Sequence, residues 1–342
     1  MSVVYLRNIK FVQPATWVSS EQVEQWTGGK PGFIAARIGV ERRAFLGPEE
    51  TATELALQAA REVLAHCQAA GRTPELVICV TQNPDFRLPH MSALLQHGLG
   101  LPDTTMCFDV GLGCSGFVYA LSVARGLLLS EQFADALLVT CDPYSRIMAR
   151  EDRDTLSVFG DGAACAWVSR EASDDAGLLC AGVYGTDGGG AENLIVRNGG
   201  ARHPLFETVL ADTPVAKADD AESRLYMNGR AILEFMLTRV PGLVAATLDK
   251  NSLRVEDIDH FVFHQASSYM LQQLTRYMKL PAERVPIMLE TTGNTVSSTI
   301  PYVLAELAQQ GRLHGKRTLL CGFGVGLSWG ACVLDYSKGL QP

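Results

Sequence analysis

Cys107-Phe108-Asp109-Val110-Gly111-Leu112-Gly113-Cys114-Ser115-Gly116-Phe117 sets an apolar strand against a run of small residues and then a helix. The strand reading covers Met106 to Val110. The helix reading covers residues 117–129, where Phe117, Leu121 and Leu128 recur at helical spacing. Strand, tight turn and helix form the basic unit of an α/β sheet protein. The pattern leaves Cys114 at or near a helix N-terminus, where unpaired N–H groups and the helix dipole favour thiolate, the nucleophilic form. A free cysteine is also a good small core residue. Position alone leaves both roles open.

The same segment supports a rival. Gly111-Leu112-Gly113-Cys114-Ser115-Gly116 fits G-x-G-x-x-G between a strand and a helix, the fingerprint of a dinucleotide-binding oxidoreductase. That fingerprint usually opens a fold, and here it lies well inside the chain. The nearest acidic residue for a ribose is Asp142.

Outward from this segment the chain repeats itself. The first half runs as a helix over 53–70, a strand over 75–82, a helix ending in Gly100-Leu101-Pro102, the strand at Met106, a helix, and strands over 136–141 and 163–168. The second half runs as a helix over 229–250, a strand over 259–265 and a helix ending in Lys279-Leu280-Pro281. A strand over 285–289, a helix over 301–310 and strands over 318–321 and 330–334 complete it. Alternating strands and helices predict mostly parallel pairing with helices on both faces. The last strand of each half follows its predecessor closely, which predicts an antiparallel edge. Residues 170–225, with Asp187-Gly188-Gly189-Gly190 and Asn198-Gly199-Gly200, break the rhythm and read as loops.

Composition bounds the rest. The 342 residues are 47% hydrophobic and 19% charged, enough for a large core and for two domains. A net charge of −8 argues against nucleic acid and anionic membranes as partners. We find no basic run, no 18-residue apolar stretch and no signal peptide. Nine scattered cysteines without a C-x-x-C pair indicate a reducing, cytoplasmic location, no disulfide framework and no zinc or other metal site.

Three chemistry-bearing residues fall just beyond strand ends, where α/β sheets hold their ligands. They are Cys114, His264 after Phe261-Val262-Phe263, and Asn294 in Thr291-Thr292-Gly293-Asn294-Thr295. His264 alone reads as a hydrogen-bonded core histidine, and Asn294 alone as a turn residue. Duplication brings the three strand ends to one junction, and only that joint placement makes a site. The turn Gly322-Phe323-Gly324-Val325-Gly326 is either a tight hairpin or a close backbone approach that donates N–H to an oxyanion. Asp161 in Phe159-Gly160-Asp161-Gly162 reads as satisfying backbone donors of its own turn. A papain-like protease shares the Cys, His, Asn order, but the signature around its cysteine is absent here and its fold has no repeated βαβ layout.

These residues resemble the β-ketoacyl-acyl-carrier-protein synthase III family of the thiolase-like superfamily, over nearly the full length. The matching motifs are Phe108-Asp109-Val110 leading to Cys114-Ser115-Gly116-Phe117, Phe159-Gly160-Asp161-Gly162-Ala163, and His264-Gln265-Ala266. Gly293-Asn294-Thr295 with Ile300-Pro301, Gly322-Phe323-Gly324 with Trp329-Gly330, and Arg37-Ile38-Gly39-Val40-Glu41-Arg42-Arg43 complete the set.

The resemblance implies a five-layered αβαβα fold from two duplicated halves, 1–170 carrying the nucleophilic cysteine and 171–342 carrying His and Asn. It implies a homodimer without a cofactor. It implies that Cys114 takes an acyl group from acyl-CoA and that a malonyl thioester then condenses with it as CO₂ leaves. His264 and Asn294 would hold the enolate, and the amides of Cys114 and of Phe323, Gly324 and Val325 the acyl-transfer oxyanion. Phe33, Arg37, Arg153 and Ser267 would contact CoA. Some relatives transfer the acyl group to an alcohol, an amine or a carrier protein without condensing, which is the alternative.

Several positions depart from the family pattern. Phe33 stands where Trp is common, Ser267 where Asn is usual, Tyr269 where Arg is typical and Glu234 where Lys is typical. The last two belong to the carrier-protein docking face. The implied partner is therefore an acyl carrier protein of a non-standard kind, in fatty-acid or secondary metabolism.

Overall fold

The computed structural model describes residues 3–207, 209 and 214–337. The outermost ends of the two expected halves, 1–2 and 338–342, and residues 208 and 210–213 of the expected loop region lie outside the described residues.

The chain starts with a strand that the hydrophobic pattern does not reveal, β1 (Tyr5–Val12). The ribbon strands β2 (Thr16–Ser19) and β3 (Arg42–Phe45) flank helix α1 (Ser20–Thr27). The first repeat is α2 (Ala52–Ala69), β4 (Leu76–Val80), α3 (Met91–Gly98), β5 (Met106–Val110), α4 (Gly116–Leu129), β6 (Asp135–Cys141), the short α5 (Arg153–Leu156) and β7 (Ala163–Ser169). The region expected to be loops holds short strands β8 (Gly177–Leu179) and β9 (Val183–Thr186), and a ribbon of β10 (Leu194–Ile195) with β11 (Tyr226–Met227). The second repeat is α6 (Gly229–Lys250), β12 (His260–Phe263), α7 (Ser268–Tyr277), α8 (Thr299–Gln309), β13 (Arg317–Gly324) and β14 (Ser328–Asp335).

The pairing is repeated as well. β4 is parallel to β5 and β6, β6 is antiparallel to β7, and β7 to β1. In the second half β12 is parallel to β13, β13 antiparallel to β14, and β14 to β9. The closing strands β7 and β14 are antiparallel as expected, but neither is an edge. β1 covers β7, and β8 bridges β14 to β1, so the halves join in one hydrogen-bonded path.

The strand expected at 285–289 does not form. Pro286 has no N–H to give a ladder. The buried amide of Gln265 takes the ladder's place. Its Nε2 donates to the Pro286 carbonyl at 3.3 Å, and its Oε1 accepts from the Met288 N–H at 2.9 Å.

Alternation along the strands sorts the core into layers. Leu76, Ile78 and Val80 of β4, Leu138 of β6, Val262 of β12 and Leu320 of β13 face a central layer made by α4 and α8. Val77, Cys79, Leu137 and Val139 face outward to α2. Phe261, Phe263, Leu319 and Cys321 face outward to α6 and α7. Helix, sheet, helix, sheet, helix is the αβαβα arrangement. Each central leucine, such as the fully buried Leu121, is worth about 2–5 kcal/mol against truncation to alanine. α6 is long and apolar enough to cross a membrane, which the sequence reading overlooked. Its buried residues, including Phe235, Met236, Val240 and Val244, pack in the same core cluster as β13.

Candidate active site

β5 ends at Val110, glycines turn the chain, and α4 begins two residues after Cys114. A Cβ on Gly113 would collide with the Gln82 side chain, and one on Gly116 with Val80. These glycines admit protein side chains rather than a pyrophosphate. Asp142 is fully buried and accepts from the backbone N–H groups of Gln82 (2.6 Å) and Ser297 (3.3 Å). It is not available to a ribose, so the dinucleotide reading fails on both counts.

From the other half, β13 delivers its last glycine onto the sulfur. A Cβ on Gly324 would lie 2.9 Å from Cys114 Sγ. Only glycine lets the Phe323–Val325 backbone approach this closely. The Val325 N–H and the Cys114 N–H both stabilise negative charge on the sulfur. Burial and the charge of Asp142 nevertheless push the Cys114 thiol up to about 12. The expectation of a favoured thiolate is thereby corrected: desolvation outweighs the N–H groups. Burial thus favours the neutral thiol over the thiolate.

His264 follows β12, and its N–H is held by the Cys321 carbonyl at 2.9 Å. Burial takes its pKa down to about 3, so the ring is neutral. Nδ1 lies 2.7 Å from Thr299 Oγ1, and Nε2 lies 3.4 Å from Asn294 Nδ2. Phe323 stands edge-on to the ring at 5.6 Å. The left-handed turn position is Gly293 (φ 63°), not Asn294. Asn294 is pinned by the first half instead: its N–H donates to Val158 (2.9 Å), and its carbonyl accepts from Gly160 (3.0 Å). Asn294 Oδ1 accepts from the Val296 N–H at 2.9 Å, which turns Nδ2 toward His264.

Cys114, His264 and Asn294 line one cavity of about 730 Å³, together with Phe323 and Gly324. Phe33, Arg153 and Ser267 line it too. Arg37 does not; it is exposed on the turn Ile34–Ile38, beside the lining residue Ile38. The Ser267 hydroxyl caps α7, accepting from the Met270 N–H at 3.2 Å. Asp161 satisfies donors of other segments rather than its own turn, the N–H groups of Leu46 (2.9 Å) and Ser145 (3.1 Å). Sequence reasoning missed Thr299, the anchoring role of Gln265 and the clamp made by Asp142. The run Ser297-Ser298-Thr299 ahead of α8 was the available signal, since three hydroxyls at a buried helix start need partners.

Known proteins resemble this chain in sequence and fold. The family described as 3-Oxoacyl-[acyl-carrier-protein (ACP)] synthase III matches residues 108–188, and its C-terminal counterpart matches 248–336. The first span holds Cys114 and the second His264 and Asn294. Beta-ketoacyl-[acyl-carrier-protein] synthase III 1 of Deinococcus radiodurans is 31% identical, covering 99% of this chain and 95% of its own. The Clostridium perfringens synthase III is 29% identical over 94% of this chain and 95% of its own. A crystal structure of a 3-oxoacyl-(acyl-carrier-protein) synthase III superposes with TM-score 0.88 at 36% identity, covering 97% and 99%. The priming β-ketosynthase of the R1128 polyketide biosynthetic pathway superposes with TM-score 0.84 at 27% identity, covering 99% and 97%.

Proposed function

From the premise that this chain belongs to the 3-oxoacyl-[acyl-carrier-protein] synthase III family, we propose that it condenses an acyl group with a malonyl thioester. The observation that carries the reading is one cavity lined by a buried thiol and by two side-chain nitrogens that are 3.4 Å apart.

Cys114 Sγ attacks the acyl-CoA carbonyl, and the thiol proton leaves with the CoA sulfur. The N–H groups of Cys114 and Val325, already aimed at the sulfur, are placed to hold the carbonyl oxygen as it gains charge. The product is an acyl-Cys114 thioester and free CoA. A malonyl thioester then loses CO₂. Its enolate oxygen is held by His264 and Asn294, and its α-carbon attacks the acyl-Cys114 carbonyl. Sulfur departs as thiolate and takes up a proton from water, and a 3-oxoacyl thioester is released. A neutral His264 suits this role, since its one N–H can donate to the enolate oxygen without burying a charge.

At the mouth, exposed Phe33 offers a stacking face and Arg153 a phosphate partner for CoA. Arg37 adds charge from outside the cavity. Glu234 and Tyr269, both exposed, support a non-standard carrier protein as the malonyl donor. The outer edge of β5, the last strand of the sheet path, supports a homodimer in which two copies pair edge to edge. Scattered cysteines with no C-x-x-C pair support a cytoplasmic location.

Intact-mass measurement after incubation with a panel of acyl-CoAs, coupled to CO₂ release from malonyl thioesters, tests the function. Acylation of Cys114 followed by CO₂ release is expected. Acylation without any CO₂ release would make the protein a non-condensing acyltransferase.

A further inference from the structure

We propose that Thr299 is the positioning residue that sets the tautomer of His264 and so arms the second donor of the enolate site. The proposal rests on the condensing reading above.

A neutral imidazole carries one N–H, and the other nitrogen can only accept. Asn294 must be a donor here, because its Oδ1 is occupied by the Val296 N–H at 2.9 Å. The Thr299 hydroxyl has one hydrogen and two acceptors in reach, the Val296 carbonyl at 3.1 Å and His264 Nδ1 at 2.7 Å. If the hydroxyl donates to Val296, the ring proton must sit on Nδ1. Nε2 then accepts from Asn294 Nδ2, and the site is closed on itself with one donor spent. If the hydroxyl donates to Nδ1, the ring proton sits on Nε2. Two N–H donors then face the cavity without bonding one another, and an enolate oxygen satisfies both.

The distances accommodate the second arrangement. Thr299 is closer to Nδ1 than to Val296, and 3.4 Å between Nε2 and Nδ2 is long for an N–H···N bond. The Val296 carbonyl also lies within reach of the ring. Without the hydroxyl the ring donates there, and Nε2 is left as an acceptor.

The surroundings are built to hold this geometry. Val296 has φ 55°, a left-handed conformation that a β-branched residue rarely adopts. That conformation sends its N–H to Asn294 Oδ1 and so orients the Nδ2 donor. Asp142 clamps the next residue through the N–H and hydroxyl of Ser297. Ser298 is tied to the carbonyls of Thr140 (3.1 Å) and Gly162 (3.2 Å).

The test pairs NMR of ¹⁵N-histidine-labelled enzyme with separate assays of Cys114 acylation and malonyl-thioester decarboxylation. Wild-type His264 is expected to carry its proton on Nε2; a proton on Nδ1 would overturn the proposal without any variant being made. Thr299→Val should move the proton to Nδ1 and lower kcat for decarboxylation by about 10- to 100-fold. KM and the acylation rate should hold. Thr299→Ser should restore the wild-type tautomer and rate. Equal losses in both variants, or a Thr299→Val enzyme with unchanged tautomer, would assign Thr299 a packing role only. If wild-type protein never decarboxylates malonyl thioesters, the condensing reading fails, while the NMR tautomer still decides the role of Thr299.

Discussion

The turn before α4 and the turn before α8 occupy equivalent places in the two halves, yet they are built by different means. The first is positioned by backbone. β5 lies in register with β4, Cys79 beside Asp109 and Val80 beside Val110, and glycines let neighbouring segments close around Cys114. The second has no strand behind it. Side chains do the work there: Gln265 holds 286–288, Asp142 clamps Ser297, and Thr299 reaches His264. On the proposed function, the difference follows from what each turn must present. A nucleophile and its oxyanion donors need close backbone approach. A pair of side-chain donors needs orientation and the right proton count.

The sharpest way to break this comparison is a reciprocal exchange of losses. Cys114→Ala should abolish acylation yet leave malonyl-thioester decarboxylation detectable. His264→Ala and Asn294→Ala should keep acylation and lose about 10²-fold in decarboxylation. A variant that removes both half-reactions without unfolding would show that the two turns are not separate devices.

The two turns should also differ in pH response. With the Cys114 thiol raised to about 12, its thiolate fraction grows about tenfold per unit at every pH below that. Peptide-resolved alkylation of Cys114 should therefore climb from pH 6 to 9 without a plateau, and acyl-CoA should suppress it. His264, lowered to about 3, stays neutral over the same range. Decarboxylation should show no inflection near 6.5, the ordinary histidine value. A plateau in the first measurement or an inflection in the second would place an activated charge where burial forbids one.

Gln265→Leu sharpens the comparison at a smaller scale. It removes the substitute ladder and leaves the Met288 N–H and Pro286 carbonyl unpaired, a cost of about 1–3 kcal/mol in denaturant titration. Decarboxylation should fall about tenfold while Cys114 acylation stays at the wild-type rate. Parallel loss of both activities would mean that Gln265 supports the whole fold rather than one turn.

The smallest effect lies outside both turns. Glu234→Lys with Tyr269→Arg adds positive charge to an exposed face, where each pair is worth about 0.2–1 kcal/mol. Turnover with an acidic malonyl-carrier protein should rise a few-fold at low salt, and turnover with malonyl-CoA should not change. Equal rises with both substrates would remove carrier docking from the explanation.

What the sequence disclosed follows the same division. Apolar runs such as 76–80 and 136–141 identify themselves, and Cys114, His264 and Asn294 stand out because they follow strand or strand-like runs. β1 escaped because Arg7, Asn8 and Lys10 interrupt its pattern and its register shifts between Leu6 and Asn8. Residues 285–289 misled because apolar content does not reveal a missing ladder. Gln265, Asp142 and Thr299 act through hydrogen bonds to segments far away in sequence, and no local pattern encodes such pairs. The raised Cys114 thiol was illegible for a related reason, since helix-terminal placement can be read from sequence but desolvation cannot.

α4 and α8 both start beside the cavity and bury their first turns in the central core, while Val123 and Gln309 further along are exposed. A helix whose first turns are buried in this way has little free end from which to fray. The cavity floor and the middle of the molecule therefore belong to one cooperative unit. Amides around Leu121 and Val303 should exchange with solvent only when the whole protein opens, and activity should vanish in denaturant together with bulk helix content rather than ahead of it. The exposed side chains of Phe33, Tyr226 and Tyr269, which line the cavity mouth, lie outside that unit.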